Sequence, residues 1–188
     1  MSAAVDLWLI RHGESIGNVD GTDADTALSP RGCEQARHLV PVLKTVPFDV
    51  VWTSPLRRAR QTAELALPSA SPTIDERIAE FRTGPPVQFI DPSSCDFVQF
   101  GVPSLAPAYG PIETGKEFMA RVKAWLEDLA AGRVVAFTHF GVIREILATF
   151  VGFRNVPQEI PHASVYRIDL GAAAPLVEAS ICLKRDVH

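Results

Sequence analysis

Short apolar runs alternate along the chain with stretches in which apolar residues recur every three or four positions. The clearest runs cover residues 5–10, 49–53 and 133–137. Such runs, bounded by polar and glycine residues, are typical of buried strands, and the recurring positions are typical of one face of a helix. The alternation predicts an α/β fold, a three-layer α/β/α sandwich with a mainly parallel central sheet.

Local signals mark where the helices begin. Ser29 and Ser54 each precede a proline, a combination that favours a capped helix N-terminus. Thr114 stands three residues before Glu117, the spacing of a capping box. Pro41 is expected to kink or shorten the first of these helices because it removes a backbone hydrogen bond. Two further strands are predicted near the C-terminal end, at 163–169 and 176–183.

Residues 84–112 follow neither the helical nor the strand period. They contain six prolines, several phenylalanines and no lysine or arginine. Long irregular stretches inside a compact domain are usually functional or disordered, and the aromatic content argues against disorder. We therefore predict a small irregular lid insertion within a single domain that spans residues 1–188.

Composition narrows the classes of protein that the chain can represent. A chain of 188 residues with 47% hydrophobic and 21% charged residues suits one globular domain. A net charge of −4 argues against a nucleic-acid or membrane-surface binder. Three widely spaced cysteines, no visible signal peptide and charges within the most apolar region, 134–153, predict a soluble, cytoplasmic protein. The sequence leaves its oligomeric state open.

Polar residues stand directly after two of the predicted strands. Arg11 and His12 follow the first apolar run, with Gly13 next and Asn18 shortly after, and His139 follows the third. Ligands of open α/β sheets bind at the carboxyl ends of the strands. Guanidinium, imidazole, amide and free backbone N–H groups at that edge suit an anion, most simply a phosphate.

The stretch Arg11-His12-Gly13-Glu14-Ser15, followed by Asn18, resembles the signature of the histidine phosphatase superfamily, the phosphoglycerate-mutase-like enzymes. Three later stretches resemble family motifs in the same order, at 54–63, 78–84 and 138–144. In the stretch at 78–84, the family's usual Trp-Glu-Gly continuation is replaced by prolines. The resemblance implies the same sandwich fold and phosphoryl transfer through a phosphohistidine.

Residue roles follow from chemistry and from this resemblance together. A neutral imidazole is a competent nucleophile near pH 7, and the family implies that role for His12. The resemblance assigns Arg58 to the phosphate, beside Arg11 and Asn18, and Glu80 as the proton donor. His139 is expected to donate to the phosphoryl oxygens.

The remaining charged and imidazole side chains receive other expectations. Arginine supplies the charge that a metal would bring, so no metal or cofactor is expected. Arg57 and Arg60 are expected on the helix surface, and His38 and His188 outside the site. His162 falls where family members carry a polar residue near the pocket rim, and a role for it stays open.

Three functions fit these residues. A phosphomonoesterase acting on small phosphorylated metabolites is the main prediction, because the 84–112 insertion offers no cation to grip a carboxylated phosphoglycerate. A phosphoglycerate-mutase-type transfer and an inactive phosphate-binding module are the alternatives. The expected partner is a small-molecule phosphate ester, with no nucleic acid and no membrane.

Overall fold

A computed structural model describes residues 4–21, 25–82, 113–171 and 176–180. The predicted lid insertion at 84–112 lies outside the described residues. A six-stranded sheet of order β3-β2-β4-β1-β5-β6 forms the centre. Its strands are β1 Val5–Arg11, β2 Val50–Thr53, β3 Thr73–Ile74, β4 Gly132–Thr138, β5 Val165–Asp169 and β6 Leu176–Ser180.

Among these strands, only β5 runs in the direction opposite to all the others. Strands β3, β2, β4 and β1 pair in parallel, whereas β5 is antiparallel to both β1 and β6. The apolar run of β1 places Leu7, Leu9 and Ile10 in fully buried positions. Strands buried on both faces need such near-continuous apolar sequence. The predicted sandwich with a mainly parallel sheet is confirmed.

Helices cover both faces of the sheet. They are α1 Ile16–Asp20, α2 Pro30–His38, α3 Val40–Leu43, α4 Arg57–Ala66, α5 Gly115–Glu127 and α6 Phe140–Val151. One core lies under α5 and α6 and includes Trp125 and Ile146. The other lies under α2, α3 and α4 and includes Leu39 and Ala63. None of the described helices is long and apolar enough to cross a membrane.

Two of the three predicted caps form. Ser29 Oγ accepts from the N–H of Gly32 at 3.0 Å, and Thr114 forms a reciprocal capping box with Glu117. The third prediction is wrong, since α4 begins at Arg57 with Leu56 at its N-cap. The hydroxyl of Ser54 accepts from the N–H of Leu56 at 3.2 Å, outside the helix, and it also bonds a histidine of the candidate site.

The sheet register brings three strand ends to one edge. Arg11 at the end of β1 is level with Thr138 at the end of β4, and Thr53 of β2 is level with Phe137. Because these three strands are adjacent and parallel, the residues that follow them emerge side by side. That edge carries the polar residues singled out above.

Candidate active site

His12 leaves the sheet at the end of β1. Its backbone N–H donates to the carbonyl of Thr138 at 3.0 Å, which fixes it beside the end of β4. Gly13 then turns the chain close to the start of α2. A Cβ on Gly13 would lie 2.5 Å from the carbonyl oxygen of Gly32, so only glycine fits this approach. The histidine is 3% exposed.

Two contacts fix the protonation pattern of the His12 ring. Nδ1 lies 2.7 Å from the carbonyl oxygen of Gly13. A carbonyl only accepts, so Nδ1 carries the proton and donates. Nε2 then holds the lone pair, which accepts from Nε of Arg58 at 3.2 Å. The nitrogen that can attack an electrophile is therefore the one that faces the guanidinium.

The electrostatic surroundings keep the His12 imidazole neutral. Burial, together with the positive charges of Arg58 and Arg11, lowers the pKa of His12 well below the ordinary value of 6.5. Protonation would add a third positive charge to a buried group beside two guanidiniums. The ring thus remains an available nucleophile near neutral pH.

Arg58 occupies the second position of α4 and is 6% exposed. Its neighbours Arg57 and Arg60 are exposed, as the sequence predicted. The carbonyl of Arg58 accepts from Thr62 Oγ1 at 2.7 Å, and the N–H of Gly13 donates to that same Oγ1 at 3.0 Å. Helix α4 is thereby tied to the turn after His12.

Arg11 is oriented by the loop before β5. Nη1 donates to the carbonyl of Ile160, and Nη2 lies 3.0 Å from Nε2 of His162. Burial is the main cause that lowers the pKa of Arg11 to about 10, which leaves it charged at neutral pH. Its Nε finds no hydrogen-bond partner among the described residues and remains free to donate.

His162 is the site residue whose role the sequence left open. Its ring centre lies 5.5 Å from that of His12. Burial and then the charge of Arg11 lower the pKa of His162 to about 3, so the neutral ring accepts from the Arg11 guanidinium. A third imidazole therefore belongs to this edge of the sheet.

His139 stands at the N-cap of α6, directly after β4, and is fully buried. Its ring centre lies 5.0 Å from that of His12, and Nε2 is 2.7 Å from Ser54 Oγ. Burial and the nearby charge of Arg58 lower the pKa of His139 well below 6.5. Its Nδ1 is buried without a partner in the described part of the chain.

Ser54 was missed as a site residue, although the sequence contained a signal. It directly follows β2, the same position relative to a strand that His12 and His139 occupy. The adjoining proline favoured a capping role instead. With the hydroxyl at His139, all three adjacent strand ends contribute to the cluster.

Glu80 reaches the site from the segment after the 3-10 turn Glu76–Ile78. Its Oε1 accepts from the N–H groups of Phe81 at 3.0 Å and Gly141 at 3.1 Å. Gly141 belongs to the first turn of α6, next to the N-cap His139. The charge of Glu80 acts on Arg11 and raises its pKa against the effect of burial. The structure thus brings this carboxylate to the cluster.

Asn18 takes part in a local cap. It is exposed, and its Oδ1 accepts from the N–H of Ser15 at 3.0 Å and from Ser15 Oγ at 2.8 Å. No hydrogen bond joins it to the other predicted site residues in the described ranges. Its amide nitrogen makes no hydrogen bond to the described residues, and phosphate binding by Asn18 stays a prediction.

The cluster as a whole is positively charged and largely buried. Two guanidiniums, three neutral imidazoles and one carboxylate meet at the carboxyl ends of β1, β2 and β4. Within residues 4–21, 25–82, 113–171 and 176–180, no three His, Cys, Asp or Glu side chains gather in a metal-binding arrangement. The unpartnered Nε of Arg11 and Nδ1 of His139 are suited to bind the oxygens of a small anion.

Comparisons with known proteins agree with this chemistry. A family model, the histidine phosphatase superfamily (branch 1), matches residues 7–180. An adenosylcobalamin/alpha-ribazole phosphatase of Escherichia coli strain K12 is 52% identical over 64 residues, 32% of this chain and 32% of that protein. A fructose-2,6-bisphosphatase of Saccharomyces cerevisiae is 32% identical over 164 residues, 81% of this chain and 35% of that protein. The chain thus matches about a third of the length of these two curated relatives.

A solved structure extends the similarity to nearly the whole fold. The crystal structure of a phosphoglycerate mutase from Thermus thermophilus superimposes with a TM-score of 0.70 at 29% identity. The match covers 94% of this chain and 99% of the mutase chain. Phosphatases and mutases therefore both occur among the proteins that this chain resembles.

Proposed function

Since the chain belongs to the histidine phosphatase superfamily, we propose that it is a metal-independent phosphomonoesterase that works through a phosphohistidine on His12. The coarser statement, a phosphatase-type enzyme, is supported by the family and by relatives named as phosphatases. The substrate class, small phosphorylated metabolites, and a cytoplasmic location are parts of the same proposal.

One observation carries the proposal. The His12 proton is held on Nδ1 by the Gly13 carbonyl, while the Nε2 lone pair faces the Arg58 guanidinium. A phosphoryl group that displaces the Arg58–His12 hydrogen bond would meet the lone pair and the guanidinium together. The nucleophile and its counter-charge are thus preorganised before any substrate binds.

In the first step, the Nε2 lone pair of His12 attacks phosphorus and forms a P–N bond. The P–O bond to the alcohol breaks, and its electron pair stays on the departing oxygen. Glu80, which takes up a proton from solvent before this step, gives that proton to the departing oxygen, so a neutral alcohol leaves. The phosphoryl group remains on His12, whose ring carries the positive charge balanced by the phosphoryl oxygens.

In the second step, a water molecule replaces the alcohol. The Glu80 carboxylate takes a proton from the water as the water oxygen attacks phosphorus. The P–N bond breaks and returns its electron pair to Nε2. Inorganic phosphate leaves, and both neutral His12 and protonated Glu80 are restored for the next cycle.

Charge stabilisation comes from the surrounding donors. The phosphoryl group in transit spreads negative charge over three equatorial oxygens. Arg11 and Arg58 can each offer paired N–H groups, and His139 is placed at the neighbouring strand end to add another donor. A single preorganised donor of this kind is worth a factor of about 10² to 10³ in kcat.

The substrate preference rests on sequence rather than on structure. Residues 84–112 contain no lysine or arginine, and thus no cation for a carboxylate distant from the phosphate. An apolar or aromatic phosphomonoester suits such a stretch better than a phosphoglycerate does. The resemblance to a phosphatase named for adenosylcobalamin and alpha-ribazole is consistent with this choice.

Mutase activity is the second candidate, because a phosphoglycerate mutase shares the fold over 94% of this chain. Both reactions would pass through the same phosphohistidine and differ in whether water or a second hydroxyl accepts the phosphoryl group. Incubation with 3-phosphoglycerate and the bisphosphate primer separates them. Isomer interconversion faster than phosphate release would favour the mutase.

The direct test is hydrolysis of p-nitrophenyl phosphate in the presence of EDTA. The wild type should retain its activity, and His12→Ala should lower kcat by about four orders of magnitude. His38→Ala is the matched control, since His38 is exposed on α2 and should leave the rate unchanged. Hydrolysis that survives His12→Ala, or that EDTA abolishes, would contradict the proposal.

A further inference from the structure

The backbone around Glu80 is held by a side chain from a different part of the sequence. Arg121 lies on α5, and its Nη1 donates to the carbonyls of Arg77 at 2.7 Å and Ala79 at 2.8 Å. Its Nη2 donates to the carbonyl of Glu80 itself at 3.1 Å. One guanidinium thus binds three carbonyls within four residues at 3.1 Å or less, and the carbonyl of Glu76 lies farther away, at 3.5 Å.

A carboxylate orients this guanidinium from the other side. Glu113 accepts from Arg121 through both oxygens, at 2.5 Å from Nε and 2.8 Å from Nη2. The two side chains are 16% and 10% exposed. The N–H of Glu113 also donates to the carbonyl of Arg82 at 3.1 Å. We call Arg121, Glu113 and the three bound carbonyls the Arg121 brace.

Aromatic packing reinforces the brace next to Glu80. The ring of Phe81 meets that of Phe118 edge to face at 5.4 Å between centres. The Arg121 guanidinium lies 4.7 Å above the centre of the Phe118 ring. A planar fork that stacks and donates in several directions cannot be replaced by the single ammonium of lysine.

The brace and α6 hold Glu80 at its two ends. The brace fixes its main chain against α5, while the Gly141 N–H binds its carboxylate at the start of α6. A Cβ on Gly141 would overlap Oε1 of Glu80, so the carboxylate is closely packed as well. Small displacements of a catalytic group cost large factors in rate, so this double fixation matters for proton transfer.

We propose that Arg121 is a positioning residue that sets Glu80 for proton donation to the leaving oxygen. The inference rests on the proposed function, in which Glu80 is the general acid. Among the described residues, Arg121 makes no hydrogen bond to Arg58 or to the site histidines. Replacing Arg121 should therefore slow hydrolysis most for those esters whose leaving group needs a proton.

The experiment compares esters that differ in that need. A p-nitrophenolate leaving group departs without being protonated, whereas an alkoxide leaving group needs a proton to depart. The quantity to measure is kcat/KM, because it reports the step that releases the alcohol. Glu80→Gln should lower kcat/KM for an alkyl phosphate by about 10² or more relative to p-nitrophenyl phosphate. Arg121→Lys should produce the same selective loss, by about tenfold or more.

Arg77→Gln is the matched control. Arg77 ties the same 3-10 turn to α5 through the carboxylate of Asp128 at 2.5 Å and the carbonyl of Ala124 at 3.3 Å. Its side chain makes no hydrogen bond to Glu80 within the described residues, and the variant should not change the ratio between the two esters. Thermal unfolding of all variants identifies any loss of folded protein, which lowers both rates equally.

A second variant covers the case in which Arg121→Lys does not fold. Glu113→Gln leaves the arginine in place and removes only the charge that orients it, and a smaller loss in the same direction is expected. If Glu80→Gln is selective but the folded brace variants lower both rates equally, the inference is overturned and the proposed function stands. If Glu80→Gln lowers both rates equally, Glu80 is not the acid, and the inference falls with that assignment.

Discussion

Both ends of the central sheet carry charged side chains, but these side chains differ in how fully they are hydrogen-bonded. At the carboxyl ends of the parallel strands, arginines and histidines are buried, and Arg11 Nε and His139 Nδ1 lack partners among the described residues. At the amino ends lies an open groove of about 450 Å³. Its lining residues are Ala4, Asp6, Pro47, Asp49, Gly132, Arg133 and Asp169.

The charges at the amino ends are matched. Asp6 accepts from Nε of Arg133 at 2.9 Å and Nε of Arg167 at 2.8 Å. Burial alone would raise the pKa of Asp6, but these hydrogen bonds outweigh it and hold the pKa below the ordinary value. Asp49 accepts from the backbone N–H of Arg133 at 2.7 Å. These groups already have their partners within the protein.

This difference in hydrogen-bond partners distinguishes the groove at the amino ends from the candidate site at the carboxyl ends. The groove has volume, yet Asp6 in it is paired with two arginines, and Asp49 accepts from a backbone N–H. The opposite edge keeps two guanidiniums near one carboxylate and three neutral imidazoles, with donors left for a ligand. Buried polar groups without partners cost stability, so their persistence favours a functional role.

Among the tests of this contrast between the two ends, replacing Arg58 by lysine has the largest expected effect. The ammonium keeps the charge but loses the fork of N–H donors, so kcat should fall by about 10² to 10³. Arg57→Lys, one residue earlier and exposed, should leave the kinetics unchanged. Initial rates with p-nitrophenyl phosphate measure both variants. Equal kinetics would show that the buried guanidinium has no special part in the reaction.

A medium effect is expected in the pH dependence of stability. The pKa values of His12, His139 and His162 are lowered in the folded state. Below about pH 6.5 the unfolded chain binds protons that the native imidazoles do not, so the free energy of unfolding falls as the pH falls. Each histidine contributes a slope of up to about 1.4 kcal/mol per pH unit. Urea unfolding between pH 7 and pH 5 measures it.

Single-histidine variants sharpen that measurement. His162→Asn removes one titrating group and should flatten the slope, since its folded pKa of about 3 lies far below the range studied. Val19→Asn, at an exposed side chain that carries no titrating group, is the control and should leave the slope as it is. A slope that His162→Asn does not alter would mean that this imidazole titrates alike in both states.

The smallest effect is expected at the other end of the sheet. Asp6→Asn removes the negative charge that bonds both Arg133 and Arg167. The variant should lower the free energy of unfolding by about 1 kcal/mol. The loss should shrink at high salt, and hydrolysis should be unaffected. Asp20→Asn, an exposed carboxylate, is the comparison variant for urea unfolding. A large loss of activity in Asp6→Asn would break the contrast between the two ends.

The sequence predicts the sheet and part of the site because both depend on local patterns. Apolar runs that end in polar residues locate β1, β2 and β4, and parallel pairing then brings Arg11, His12 and His139 to one edge. The cap signal at Ser54-Pro55 led to a wrong helix start. A serine before a proline favours capping locally, but here the hydroxyl meets a histidine 85 positions away in sequence.

Other contacts have no local signal at all. The role of His162 depends on the loop before β5 folding over Arg11. Arg121 binds main-chain carbonyls, which every residue possesses, so no residue pattern identifies its partners. Such long-range contacts to the backbone require the folded structure.

The central claim is that His12 carries the phosphoryl group between two half-reactions. Rapid quenching of the enzyme in alkali during turnover, followed by digestion and mass spectrometry, tests it most directly. We expect phosphate on the peptide that contains His12, stable in alkali, lost in acid, and absent from His12→Ala. Hydrolysis that proceeds with no phosphorylated His12 at any quench time, or with the phosphate on another residue, would contradict the account.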